Sequence, residues 1–343
     1  MPGQRSGVLC AGSLVVDHVK EIDRFPAPEE LAVIDRLTVC TGGPAQNMAV
    51  DLRRLGAPFP VGVIGAVGDD ANAEVILGRC RERGIDTTGV RAFPGVATSF
   101  TDCMVEHAGG GRRTFFHHIG AAARLDVSDF PIERTAARVL HIGAPGIHPL
   151  MDAPAADGNG WTKLLRRARA AGLHTNMELV SLDPRLQADA AGPCLPHLSS
   201  VVINELEAAA LVGVAAPPAG LDAPDWPALE SIALDLVDRG VSTLAVVHFP
   251  AGCVAAAPGG FVWRQGSVRL ASAQVRNTTG AGDAFAAGVI LGLHEHWAVE
   301  DCLRLGAASA AACIRSDDTN DGIDDAATCL AAADAIGYRQ THD

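Results

Sequence analysis

Residues 277 to 285 read NTTGAGDAF. Gly280, Ala281 and Gly282 carry almost no side chain, so the backbone there can turn sharply and approach another group closely. Beyond them Phe285, Val289 and Leu293 recur at helical spacing, which starts a helix at this point and puts Asp283 in its first turn. A helix start presents unpaired N–H groups and a partial positive charge, so the amides from Gly280 to Asp283 form a nest suited to an anion. A carboxylate beside such a nest is either a cap that competes with the anion or a base acting on the anion's reaction partner. A purely structural glycine-rich helix start is the third reading, and the rest of the chain must decide.

Working outward, the 343 residues are 48% hydrophobic and 20% charged, an ordinary globular composition with room for one large domain and a smaller appendage. The net charge of −13 opposes attraction to phosphate backbones and anionic lipid, so neither nucleic acid nor membrane is expected as a partner. Nine cysteines lie scattered in mostly apolar surroundings with no C-x-x-C spacing, which reads as buried thiols in a reducing cytoplasm. The N-terminal apolar run is too short and too interrupted by glycine for a signal sequence, and no later stretch is long enough to span a membrane.

Short β-rich runs alternate with amphipathic helices, which predicts an α/β fold around a mainly parallel sheet. The runs expected as strands are Val8 to Ala11, Val61 to Val67, Val139 to Ile142, Leu173 to Met177, Val201 to Ile203 and Leu244 to His248. Helices are expected over Pro44 to Leu55, Ala71 to Arg83, Trp161 to Ala171, Glu205 to Val212 and Pro227 to Arg239, with glycines just past their ends. After the last strand the chain is expected to be helical. Residues 15–39 and 97–118 break the alternation: they read as short polar-interrupted strands, with Gly109 to Gly111 as a hairpin turn, and predict a discontinuous β-flap. Residues 1–14, 40–96 and 119–343 then form the main domain. His294 and His296, two apart on a helix, read as surface residues.

Three further stretches carry polar groups at places where chemistry can sit. In TGGPAQN, Gly42 and Gly43 permit close backbone approach and Pro44 opens a helix whose apolar stripe is Met48, Ala49, Leu52 and Leu55. Asn47 is off that stripe, facing whatever lies at the helix start, or is a surface residue of a capped helix. Asp17 follows the first strand at the carboxyl edge of the sheet, where α/β folds bind ligands; it can accept polyol hydroxyls or simply form a turn. Asn204 and Glu207 sit one helical turn apart after a strand, able to hold a hydrated Mg²⁺ or to form an ordinary capping box.

With these pieces in chain order, the sequence resembles the ribokinase-like carbohydrate kinases, the PfkB family, from about Val8 to Ile336. The early G-S-x-x-x-D of Gly12, Ser13 and Asp17, the GG-x-x-x-N of Gly42, Gly43 and Asn47, and the T-T-G-A-G-D of Thr278 to Asp283 carry the resemblance, with N-x-x-E at Asn204 and Glu207 as a fourth feature. No Walker A sequence is present, as this family cradles phosphate with a different loop.

The resemblance implies a three-layer α/β/α fold and transfer of the γ-phosphoryl group of Mg-ATP to a hydroxyl of a small sugar. By that analogy Asp283 is the base, and the amides of Gly280, Ala281 and Gly282 form the anion hole. Asp17, Gly42, Gly43 and Asn47 would contact the acceptor, while Asn204 and Glu207 would organise Mg²⁺ and its waters, Glu207 acting through water. Thr279, Gly252 and Ala308 would lie along the nucleotide, the last two at the adenine. The flap would close over the acceptor and can mediate a homodimer. Phosphoryl transfer through a loose transition state needs mainly positioning and charge neutralisation, which backbone amides supply; proton removal comes late, once bond formation has acidified the alcohol.

Departures bear on the acceptor and the ions. Asn277 stands where many members have Asp, in a segment that in some of them builds a K⁺ site, which puts K⁺ activation in question. Where several sugar kinases have D-x-N-x-R, this chain has Asn176, Glu178 and Val180, and the missing Arg argues against an acidic sugar such as ketodeoxygluconate. Lysine occurs only at Lys20 and Lys163, which disfavours a phosphorylated acceptor, although Arg112 and Arg113 in the flap could substitute. A nucleoside kinase on the same scaffold is the nearest alternative: aromatic content is only 4%, yet Phe100, Phe115 and Phe116, with His117 and His118 beside them, could border a base. A non-catalytic sugar or nucleotide sensor is the alternative of another class, and retention of Asp283 argues against it. A dinucleotide oxidoreductase lacks its G-x-G-x-x-G after the first strand.

Overall fold

The computed structural model describes residues 5–106, 113–316 and 320–341. The expected Gly109 to Gly111 turn and Arg112 lie outside the described residues. In chain order the elements begin β1 (Val8–Gly12), β2 (Val15–Ile22), β3 (Ile34–Gly42), α1 (Pro44–Arg54), β4 (Val61–Val67), α2 (Ala71–Glu82), β5 (Asp86–Ala92), β6 (Phe100–Glu106) and β7 (Arg113–His118). They continue with β8 (Val139–Gly143), α3 (Pro149–Asp152), α4 (Gly160–Ala170), β9 (His174–Glu178), α5 (Pro184–Ala191), β10 (Ser200–Asn204), α6 (Glu205–Val212) and α7 (Trp226–Asp238). The C-terminal part holds β11 (Leu244–Phe249), β12 (Gly252–Ala257), β13 (Phe261–Gly266), α8 (Ala281–His294), α9 (Val299–Cys313) and α10 (Ala326–Ile336).

Among the described residues nine strands form the main sheet in the order β13-β12-β11-β10-β9-β8-β1-β4-β5. It is parallel from β11 to β5 and closes on the antiparallel β12 and β13. Successive residues face opposite layers. Val8 and Cys10 of β1 join the core under α1, α8 and α9, with Met48, Phe285, Val289 and Leu305. Ala11 joins the core under α4, α6 and α7, with Trp161, Leu165, Leu211 and Leu236. Burial on both faces is why these strands read as continuous apolar runs. The chain leaves β1 toward β4 on one side and returns to β8 on the other, so the carboxyl ends of β1 and β8 flank a topological switch point, where such sheets bind ligands.

Strands β2, β3, β6 and β7 form a separate sheet in the order β3-β2-β6-β7. One face carries Asp17, Thr101 and His117, and the opposite face Leu37, Val39 and Phe116, by the cross-strand pairs Asp17↔Thr101, Thr101↔His117, His18↔Val39 and Asp102↔Phe116. Leu37, Val39 and Phe116 are exposed. On that outer face His18 Nδ1 and Lys20 Nζ meet Asp102 Oδ1 at 3.3 and 2.6 Å.

Four expectations need correction. The chain does not turn helical after β11, because Gly252 to Ala257 pairs antiparallel with it; small residues with no β-branched run hid this strand. The edge strand β5 was missed because DTTGVRA is polar and pairs on one side only. The strand expected over Leu173 to Met177 runs one residue later, to Glu178. His294 is buried rather than on the surface: its Nε2 accepts from the Gly7 N–H at 2.8 Å and its ring lies 3.7 Å from that of Phe59. Helix α8 is apolar all round, so periodicity could not assign its faces. The nine cysteines are free thiols, all but Cys40 buried. Among the described residues no helix is long and apolar enough to cross a membrane.

Candidate active site

The start of α8 supplies backbone. Gly280 has φ +83°, a left-handed conformation that glycine adopts without strain, and no side chain caps the helix. The preceding loop is fixed by the Thr279 N–H, which donates to Asn277 Oδ1 at 2.8 Å, and by Arg113 of the second sheet, which donates to the Thr279 hydroxyl. Gly282 packs closely on His248: a Cβ there would lie 3.2 Å from the ring.

Asp283 lies in the first turn of α8 and meets a residue 236 positions earlier. Asn47 Nδ2 donates to Asp283 Oδ2 at 2.7 Å. Asn47 is held by the turn at Gly43, φ +89°, where a Cβ would come 2.6 Å from Ser13 O, and by Pro44 in the first turn of α1. Its Oδ1 is buried and has no hydrogen-bond partner among the described residues, a position that a ligand hydroxyl would satisfy. Gly42 is fixed by Asp17: a Cβ at Gly42 would lie 2.1 Å from Asp17 Oδ2, so the carboxylate rests on bare backbone.

These groups border one cavity of about 430 Å³ at the carboxyl ends of the strands. Asp17, Gly43, Asn47, Asn204, Glu207, Thr279, Gly280, Gly282 and Asp283, all singled out by sequence, line it together. Gly42 is adjacent through Asp17, and Ala281 lies between Gly280 and Gly282. Thr101, Phe115 and His117 of the second sheet close one side, and Ile147, Leu179, Val180 and Leu182 add an apolar side.

Asn204 and Glu207 form the reciprocal capping box of α6: the Asn204 N–H donates to Glu207 Oε2 at 3.0 Å and the Glu207 N–H to Asn204 Oδ1 at 2.9 Å. The ordinary cap and the cavity position therefore coexist in the same two side chains. Burial pushes the Glu207 carboxyl up to about 7, with the Asp283 and Glu205 charges adding and the Asn204 N–H opposing. With Oε2 engaged in the cap, Oε1 remains for a cation. Among the described residues no cluster of three acidic, histidine or cysteine side chains could hold a bare metal ion. That donor set fits Mg²⁺, which keeps several waters and takes one or two carboxylates plus phosphate oxygens.

Two predicted residues lie elsewhere. Gly252 opens β12 rather than sitting in a loop, and a Cβ there would meet Gln265 O at 2.3 Å, so close strand packing accounts for the glycine. Ala308 is buried on α9 and borders a crevice of about 10 Å³ with Val268, Ala312 and Ile336, far too small for a purine ring in this arrangement.

Glu178 had been noted only as a departure from a pattern, but it lines the cavity. Burial raises its carboxyl well above the usual range, and the charge of Asp283 and a hydrogen bond with it raise it further, followed by the charges of Glu207 and Asp51. The signal was an acid at the carboxyl end of a parallel strand, one residue past the boundary assigned from sequence.

A family model described as pfkB family carbohydrate kinase matches residues 5–326. The chain is 26% identical over 315 residues to the ribokinase of Haemophilus influenzae, covering 90% of this chain and 92% of that protein. It is 29% identical over 285 residues to the ATP-dependent ribose-1-phosphate kinase of Halopiger xanaduensis, covering 82% of this chain and 83% of that one. Among solved structures, Arabidopsis thaliana ribokinase complexed with ribose and ATP superposes with a TM-score of 0.77 at 20% identity, over 96% of this chain and 98% of that chain.

Proposed function

The chain belongs to the pfkB family of carbohydrate kinases, phosphotransferases with an alcohol acceptor, and on that premise we propose that it phosphorylates a hydroxyl of a small neutral sugar, with Asp283 as general base. The observation that carries this reading is the Asn47–Asp283 hydrogen bond, which joins two glycine-rich motifs at one cavity. Asp17 and the orphaned Asn47 Oδ1 accept from the sugar's hydroxyls, and the backbone at Gly43 lets them approach. Asp283 takes the proton of the reacting hydroxyl. The amides of Gly280, Ala281 and Gly282 neutralise charge that develops on the transferred group. Mg²⁺, when bound, offsets phosphate charge, and Asn204 and Glu207 orient its water shell. Residues 15–39, 97–106 and 113–118 act as a lid over the acceptor, with Thr101 and His117 on its inner face.

No lysine or arginine is among the described residues that line the cavity, while Asp17, Glu178, Glu207 and Asp283 are. Anionic acceptors are disfavoured by that charge. The apolar side made by Phe115, Ile147, Leu179 and Leu182 favours a second reading, a nucleoside whose base lies against it. The test is ADP release from Mg-ATP against pentoses, hexoses, sugar acids, sugar phosphates and nucleosides, with Asp283→Asn as control. A neutral sugar should release ADP and the variant should not. A nucleoside as sole acceptor selects the second reading, and turnover unimpaired by Asp283→Asn rules out the base assignment.

A further inference from the structure

The second sheet lays one row of side chains along the cavity. Asp17 of β2 pairs with Thr101 of β6, which pairs with His117 of β7, so the three share a face on neighbouring strands about 5 Å apart. All three line the cavity, and Phe115, two residues before His117 on the same face, lines it with them. Thr101 Oγ1 lies 3.0 Å from His117 Nδ1. A hydrogen bond across a strand pair can simply support the sheet. Two observations ask more of this one. Both side chains stand on the cavity face, in the row of the Asp17 carboxylate that rests on Gly42. The same cavity also holds Asn47, whose buried Oδ1 has no hydrogen-bond partner among the described residues. A polyol that satisfies Asn47 therefore occupies the space that Thr101 and His117 close.

The hydrogens available fix what the pair can offer. Partial burial lowers the His117 pKa and the charge of His118 adds to it, so at pH 7 the ring is neutral, with one N–H and one bare nitrogen. If the Thr101 hydroxyl donates to Nδ1, the Nε2–H is left to donate and Thr101 Oγ1 to accept. With the proton on Nδ1 the ring donates to Oγ1, Nε2 is left to accept, and the hydroxyl turns its hydrogen to another partner. Either arrangement leaves one donor and one acceptor, and the couple passes between them by changing tautomer. The oxygens of the Asp17 carboxylate, by contrast, only accept.

We propose that Thr101 and His117 are specificity-determining residues for the acceptor: together they read a hydroxyl on the lid-facing edge of the sugar as donor and acceptor at once, beside the hydroxyl that Asp17 takes as a donor only. The acceptor class that fits is a sugar with neighbouring free hydroxyls on that edge. A deoxy relative leaves the pair with both a donor and an acceptor unmet.

This inference rests on the reading of the chain as a sugar kinase. The test is steady-state kinetics of wild type, Thr101→Val, His117→Phe and His117→Gln with the best sugar acceptor, its monodeoxy relatives and its monodeoxyfluoro relatives. Valine keeps the shape and β-branching of threonine, so β6 is retained. In wild type, removing the hydroxyl that the pair reads should raise KM about 10-fold, and the fluoro relative, which still accepts, should lose less. At the hydroxyl facing Asp17 the deoxy and fluoro relatives should fare alike, since fluorine has nothing to donate. Thr101→Val and His117→Phe should raise KM for the parent sugar about 10-fold, with kcat changed less, and leave KM for the first deoxy relative nearly unaltered. His117→Gln, which both donates and accepts, should keep part of the discrimination. A merely structural role for the pair would raise KM for every relative alike. That outcome, an unmoved KM in both Thr101→Val and His117→Phe, or a wild type that treats every deoxy relative like the parent, overturns the inference and leaves the kinase reading intact. A panel in which no sugar releases ADP removes that reading, and this assignment with it.

Discussion

The two walls of the cavity are made of different material. At the start of α8 the wall is backbone: glycine at 280 and 282, a left-handed turn and an uncapped helix end. Opposite, it is side chain: Asp17 from β2, Asn47 from α1, Glu178 at the end of β9 and Glu207 from α6, buried or half-buried and held by glycine turns and a capping box. A backbone wall has fixed geometry and a fixed partial positive charge, suited to a group that is the same in every turnover. A side-chain wall can be rewritten residue by residue, so it is where members of one family can come to differ in acceptor. Asp283 stands between the walls, on the helix of one and bonded to Asn47 of the other.

If the walls divide the work this way, substitutions on them should separate kcat from KM. Asp283→Asn should cut kcat by at least about 10²-fold while acceptor affinity stays within a few-fold, measured by steady-state kinetics and calorimetric titration of the acceptor. Gly42→Ala probes the side-chain wall without removing a functional group. Its new Cβ would fall on the Asp17 carboxylate, so that carboxylate must move. The expected result is a roughly 10-fold rise in acceptor KM with kcat changed far less. Equal losses in both constants would mean that the walls are not separable.

Glu207 gives a pH test of the side-chain wall. Its carboxyl titrates at about 7 in the folded chain, well above its unfolded value, so the native state holds the proton longer. Stability from this group is therefore full at low pH and is lost as pH rises from the unfolded value through about 7. Proton and Mg²⁺ also compete for the same carboxylate, so apparent Mg²⁺ affinity should rise a few-fold from pH 6 to pH 8. In Glu207→Gln both dependences should flatten, read by thermal unfolding across pH and by Mg²⁺ titration of initial rates.

How much of this was legible in the sequence follows from the same division. Glycine positions with positive φ leave a strong local mark, so the GG turn at Gly42 and Gly43 and the loop ending at Gly280 were found directly. Asp17 was singled out as lying just past the first strand, and it stands inside β2 of the second sheet, facing the cavity. Strand interiors of the parallel sheet were legible because burial on both faces makes apolar runs. Glu178 was not recognised as a site residue because its meaning is entirely tertiary: only the pairing of β8 with β9 and the approach of α8 bring His141 and Asp283 to it. Gly252 was read as a loop glycine because a glycine after a strand signals a turn or close packing equally well, and it opens an antiparallel strand directly after β11.

The smallest effect on catalysis is expected on the outer face of the second sheet, turned away from both walls. Leu37, Val39 and Phe116 stand exposed there on two neighbouring rows of that face, Val39 and Phe116 on the row of His18 and Asp102 and Leu37 on the row of Lys20. Apolar side chains on an open sheet face are an incentive to association, and we propose that a second copy of the chain covers them. Leu37→Ser combined with Val39→Ser should then shift the sedimentation coefficient from dimer to monomer, while kcat changes by no more than about 2-fold because neither residue lines the cavity. A chain that sediments as a monomer before substitution defeats the dimer. A large fall in kcat on dissociation would show that association shapes the inner face, where Asp17, Thr101 and His117 lie, and that the Asp17 part of the side-chain wall depends on the second copy.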